Sequence, residues 1–122
     1  MNVQAFIQAR ADNGALTYRN ISLLATGVLI KGGAGCVFGY FIANSSASTR
    51  FVKFYNKTAA PTVGTDVPLL TLAIPAASAA NYYFGPGIQF DLGIGIGATT
   101  LVADNDATAP TANDVVVNIF YK

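Results

Sequence analysis

Ile88-Gln89-Phe90-Asp91-Leu92-Gly93-Ile94-Gly95-Ile96-Gly97 alternates without a break. Ile88, Phe90, Leu92, Ile94 and Ile96 point one way; Gln89, Asp91 and the three glycines point the other. A period of two is the mark of a strand with one face on a core. The glycine face is nearly bare backbone. Glycine inside a strand costs stability, so either a bend relieved by a neighbouring ring or the close approach of another chain or a ligand is expected there.

The same period recurs along the chain. Val115, Val117, Ile119 and Tyr121 share one face against Val116, Asn118 and Phe120. Val52 and Phe54 oppose a face made of Phe51, Lys53, Tyr55 and Lys57. Leu70, Leu72 and Ile74 point inward before Pro75 ends the run. Cys36 to Ala43 is apolar on both faces, and Ile21 to Ile30 reads as one long strand with a bulge or bend at Gly27. Lys31 to Gly35 carries a hairpin signal, and Gly85-Pro86-Gly87 reads as a sharp turn. Asn44 to Thr49, Thr58 to Pro68 and Ala103 to Asn113 are small, polar loops. Glu is absent and no long window repeats at helical spacing. The expectation is an all-β chain, an antiparallel β-sandwich of jelly-roll or immunoglobulin-like topology.

Residues 1–19 stand apart from the sandwich domain at 20–122. Val3, Ala5 and Ile7 alternate with Gln4, Phe6 and Gln8 ahead of the turn signal Asp12-Asn13-Gly14. This segment is either an edge strand or an N-terminal arm that adds to a neighbour's sheet edge.

Of the 122 residues, 52% are hydrophobic and 11% charged, with a net charge of +1. A near-neutral chain lacks the basic face that nucleic-acid binding needs, so no nucleic-acid partner is expected. The apolar span Ile21 to Ala43 is broken by Lys31 and its flanking glycines, which argues against a membrane helix. The N-terminal decapeptide lacks the basic start and apolar stretch of a secretion signal.

Histidine is absent, which removes hydrolytic triads and histidine metal sites. Cys36 is the single cysteine and reads as a small core residue. All six acidic residues are Asp, and five fall at turns, where they serve local backbone hydrogen bonds. Asp104, Asp106 and Asp114 are the candidate oxygen ligands for a metal, but the loop lacks the pattern of a calcium hand and its terminal Glu. No enzyme activity, cofactor, metal or small-molecule substrate is expected.

What remains is surplus apolar surface, which on a monomer marks interfaces. Val3, Phe6, Phe51, Tyr55, Tyr82 and Tyr83 are the candidate partner contacts. Outer faces are expected to be covered by copies of the chain or by another protein.

Three segments carry a family resemblance. RFVKFYNKTAAPTVGTDVPLLTLAIP (Arg50 to Pro75), the run from Phe84 through the glycine-alternating strand, and DVVVNIFYK (Asp114 to Lys122) resemble small β-rich proteins encoded among tailed-phage structural genes. The similarity spans roughly Gly27 to the C-terminus and leaves out residues 1–19. It implies a bacteriophage virion structural protein made in the host bacterial cytoplasm. The role it points to is a capsid decoration (cement) protein on the capsid surface. Such a protein self-associates as a dimer or trimer and bridges subunits of the major capsid protein. The alternatives are a tail, baseplate or fibre-tip component, or a glycan-binding attachment module using Tyr82 and Tyr83.

Overall fold

The computed structural model describes residues 14–122. Its strands are β1 (Leu16–Asn20), β2 (Val28–Lys31), β3 (Gly35–Asn44), β4 (Arg50–Asn56), β5 (Leu70–Ile74), β6 (Ser78–Phe90), β7 (Ile94–Thr99) and β8 (Val115–Tyr121). No helix occurs among the described residues.

The strands form two four-stranded antiparallel sheets, β1-β8-β3-β6 (sheet A) and β2-β7-β4-β5 (sheet B). Among the described strands, β4 and β5 are the only consecutive ones that pair. Outward from them the partners run β3 with β6, β2 with β7 and β1 with β8. The chain is thus one long antiparallel ribbon with β4–β5 at its head. It is rolled so that each arm crosses between the sheets at every strand. This is the jelly-roll member of the two expected topologies.

That winding corrects four local expectations. Lys31 to Gly35 is not a hairpin turn, because β2 belongs to sheet B and β3 to sheet A. Ile21 to Ile30 is not one strand; β1 ends at Asn20 and β2 starts at Val28. Gly85-Pro86-Gly87 does not end a strand but lies inside β6. There the register against β3 jumps from Val37–Ile88 to Gly39–Tyr83, so that Phe38 opposes a bulge of several residues. Gly87 takes φ +80° at that bulge. Ile88 to Gly97 is not one strand but parts of two. β6 ends at Phe90 in sheet A, and β7 begins at Ile94 in sheet B. Leu92 sits exposed in the corner between them, where the Asn56 side-chain oxygen accepts its N–H at 2.8 Å.

The core between the sheets is apolar except at one end, where buried Asn44 of β3 donates its side-chain amide to Ile74 O at 3.0 Å. Val37, Ile42, Phe90, Val115, Val117 and Ile119 come from sheet A; Val52, Phe54, Ile74, Ile94, Ile96 and Ala98 come from sheet B. Phe54 and Phe90 meet across it with ring centroids 6.3 Å apart. Leu23, in the connector after β1, is also fully buried and donates its N–H to Val115 O.

The boundary expected at residue 19 falls inside β1, which pairs with β8 from Leu16 to Asn20 as the edge strand of sheet A. The alternating piece with Val3, Ala5, Phe6 and Ile7 lies outside the described residues.

Candidate docking face

The sandwich has two outer faces, and the chain treats them differently. In antiparallel sheets residues directly opposite each other share a face. The outer face of sheet B therefore carries Phe51, Lys53 and Tyr55 of β4, with Gly95, Gly97 and Thr99 opposite them on β7. Lys53, Tyr55 and Thr99 are nonetheless buried.

Two loops of the same chain account for this. The 57–69 loop lies against the glycines of β7. A side chain at Gly95 would meet Pro61 Cδ at 2.8 Å, and one at Gly97 would meet Val63 Cγ2 at 2.6 Å. Asp66 ties the loop together, accepting the Thr62 N–H at 2.7 Å and the Lys57 ammonium at 2.6 Å. These hydrogen bonds, the Lys57 one foremost, hold the Asp66 carboxyl below the usual carboxylate range. The 100–114 loop meets the other half of the face. Lys53 Nζ donates to Ala103 O at 2.6 Å and to Asp106 O at 3.4 Å. Burial pushes the Lys53 ammonium pKa down, opposed by the nearby negative charges of Asp106 and Asp104.

The bare glycine face is thus filled by neither an aromatic ring nor another molecule. Its occupant is the chain's own Pro61 and Val63. This overturns Tyr55 as a partner contact: it is only 1% exposed, sealed by its own fold. Phe51 is half-buried on the same face.

Tyr55 also yields a direct test. Its hydroxyl is buried with no hydrogen-bond partner among the described residues, and burial pushes its pKa up to about 12. A raised phenol pKa keeps the proton on in the folded state between its ordinary value and about 12. The resulting stabilisation is present below the ordinary value and is lost as pH rises through that window. Tyr55→Phe removes an unsatisfied polar group and is expected to raise stability by about 1 kcal/mol at neutral pH. Denaturant melts at neutral and alkaline pH check this; the variant should also lose less stability as the solution is made alkaline.

The outer face of sheet A has no such cover among the described residues. Thr17, Phe120, Gly39 and Tyr83 form one row across its four strands, and Arg19, Asn118, Phe41 and Asn81 form the next. Tyr83 lies against Gly39, where a side chain would meet the Tyr82 carbonyl oxygen at 2.6 Å and Tyr83 Cδ2 at 3.3 Å. Around this point a shallow groove of about 500 Å³ is lined by Tyr40, Phe41, Asn81, Tyr82, Tyr83 and Phe120. Phe41 is 44% exposed, Tyr82 61% and Tyr83 68%. Tyr82 stacks at 5.5 Å on Phe84, which packs against the core. None of the lining residues among those described carries a charge.

Of the expected contacts, Tyr83 lies on this outer face, whereas Tyr82 opposes Tyr40 in the row of buried Ile119 and so projects from the other side of β6, reaching the groove only at the sheet edge. Val3 and Phe6 lie outside the described residues. Phe41 and Phe120 were not singled out from the sequence. The signal for Phe120 was its alternation against Ile119 and Tyr121. For Phe41 the parity is hidden by a bulge: β3 pairs Val37 with Tyr121 but Gly39 with Phe120, so Phe38 is an extra residue. After it the inward positions switch from odd to even.

The three candidate metal ligands are not gathered into one site. Asp114 faces Arg50 at 3.4 Å. Asp106 accepts the Thr108 hydroxyl at 2.7 Å and the N–H groups of Leu101 and Thr108, which hold its carboxyl below the usual range. Asp104 is exposed. No group of three metal-binding side chains occurs among the described residues. Cys36 is half-buried at the start of β3 and exchanges backbone hydrogen bonds with Lys122.

Comparison with protein-family models finds no match, and comparison with curated proteins finds none either.

Proposed function

We propose that this chain is a non-enzymatic virion structural protein of the capsid decoration (cement) type. In this reading it binds the outer capsid lattice and bridges subunits of the major capsid protein. The observation that carries the proposal is the one-sidedness of the sandwich. One outer face is sealed by the chain's own loops, and the other presents Phe41 and Tyr83 exposed in a groove whose described lining is uncharged, with Tyr82 on the opposite side of the β6 edge. Exposed, contiguous aromatic surface marks a protein interface. Jelly rolls serve as viral capsid and lectin domains, which permits the assignment without deciding it. The resemblance of Arg50 to Pro75 and of the C-terminal strand to phage structural proteins supplies the virion setting.

The docking face is sheet A, with Phe41 and Tyr83 as anchors. Both are exposed, so replacing them leaves the fold intact. A Phe41→Ser/Tyr83→Ser double variant is expected to occupy particle heads at least about 10-fold less than the unmodified chain at equal concentration. Quantifying the chain on purified heads checks this, and undiminished occupancy contradicts it.

A second reading has one observation in its favour. Asn81 and Tyr83 share the outer face with Phe41 and Phe120, so an amide and a phenol flank aromatic rings, as in a site that stacks a sugar. Under that reading the same double variant keeps its place on the particle but loses retention on a glycan surface.

A further inference from the structure

The two sheets have four edges, and three of them are short or guarded. β1 is five residues long and carries Arg19. β2 has four residues, ends in the charged Lys31 and shows a register shift. β5 is five residues long and bounded by Pro68 and Pro75. Charges, prolines, bulges and short length are what keep sheet edges from pairing with other chains.

β6 differs. Its second half is guarded by the Phe84–Gly87 bulge and Pro86. Its first half, Ser78 to Tyr83, keeps an unbroken register with β3 from Gly39 to Asn44. It contains no charge, proline or glycine. Among the described residues nothing pairs with its other edge.

The order of side chains in this segment names its partner. Ala79-Ala80-Asn81-Tyr82-Tyr83 reads small, small, polar, large, large. Laid antiparallel against itself about a two-fold axis at Asn81, Ala79 faces the partner's Tyr83 and Ala80 faces the partner's Tyr82. The two Asn81 amides then face each other. Every large ring meets a methyl group, no like charges oppose, and each opposed pair lies on one side of the sheet. A two-fold interface requires this self-complementarity.

We infer that a second copy of this chain docks edge to edge along Ser78–Tyr83 of β6, joining the two copies of sheet A into one continuous sheet. The joined sheet sets two aromatic grooves side by side on one face. A partner with repeated sites would then be held by both at once. The strip is small against the ~800 Å² per partner of a standard stable interface. The dimer is therefore concentration-dependent rather than obligate. This inference concerns the chain alone and stands or falls apart from the capsid reading.

Sedimentation of the purified full chain is expected to show a reversible monomer–dimer equilibrium. Asn81→Lys sets two ammonium groups against each other on the axis and should raise the dissociation constant at least about 10-fold, with an unchanged circular dichroism spectrum. Register is read by cysteine pairing in a Cys36→Ala background. Residues opposed across antiparallel strands have Cα atoms ~4.5–5.5 Å apart, within disulfide reach. Asn81→Cys should therefore cross-link to itself. Tyr83→Cys should not, but should cross-link when mixed with Ala79→Cys. A chain that stays monomeric to high micromolar concentration overturns the inference. So does a dimer that Asn81→Lys leaves intact, or one in which Tyr83→Cys pairs with itself.

Discussion

Val117→Asp is expected to abolish folding, while Val116→Asp, one residue earlier on β8, leaves the chain folded. Val117 is fully buried between Ile42 of β3 and Asn20 of β1, its register partners. The substitution removes the packing of a buried valine, worth about 1.5–3 kcal/mol. It also places a carboxyl in an apolar core with no hydrogen-bond partner, which costs several kcal/mol more even when the group is neutralised. Domains of this size are stable by only ~5–15 kcal/mol. Val116 is half-buried and lies on the outer face, opposite Ala43. A carboxylate there reaches water, and the cost should stay near 1 kcal/mol. Denaturant melts of the two variants check the contrast. A folded Val117→Asp or an unfolded Val116→Asp inverts the assignment of faces in sheet A.

Gly27→Ala should destabilise the chain by about 3 kcal/mol, a large effect for one methyl group. The added carbon would land within the Pro61 carbonyl group, against both its oxygen and its carbon. These are backbone atoms, so no side-chain rotation relieves the contact. The 57–69 loop has to lift, and lifting Pro61 uncovers Gly95. The loop then exposes the outer face of sheet B, including Tyr55. Gly33→Ala is the control, because among the described residues nothing lies within 4 Å of a side chain there; its effect should stay within about 0.5 kcal/mol. Limited proteolysis gives a second readout, with cleavage between residues 58 and 68 appearing in Gly27→Ala and not in Gly33→Ala. A Gly27→Ala variant as stable as its parent would mean that the loop does not seal the sheet.

The inward residues were legible because the period of two survives the winding of the ribbon. A chain that leaves sheet A at Phe90 and enters sheet B at Ile94 keeps its even-numbered side chains on the shared core. The alternation therefore runs through the corner and fails only at Leu92. The same continuity hid the sheet change itself. Nothing in Lys31 to Gly35 distinguishes a turn within one sheet from a crossing between two, since glycines serve both. The cover over sheet B was not legible either. A polar loop such as Thr58 to Pro68 gives no local sign that its Pro61 and Val63 will pack onto glycines distant in sequence. The glycine alternation correctly signalled close approach, but not by whom. Tyr82 and Tyr83 were legible as exposed aromatics because they adjoin a glycine-rich break. Phe41 was not, because one extra residue at Phe38 reverses the parity of β3.

An electron cryomicroscopy map of the intact particle whose genome encodes this chain tests the proposed function most directly. The expected map has density for the jelly roll on the head lattice, with Phe41 and Tyr83 against the major capsid subunits and the 57–69 loop turned away from them. Absence of the chain from the head, or attachment through the loop-covered sheet, contradicts it.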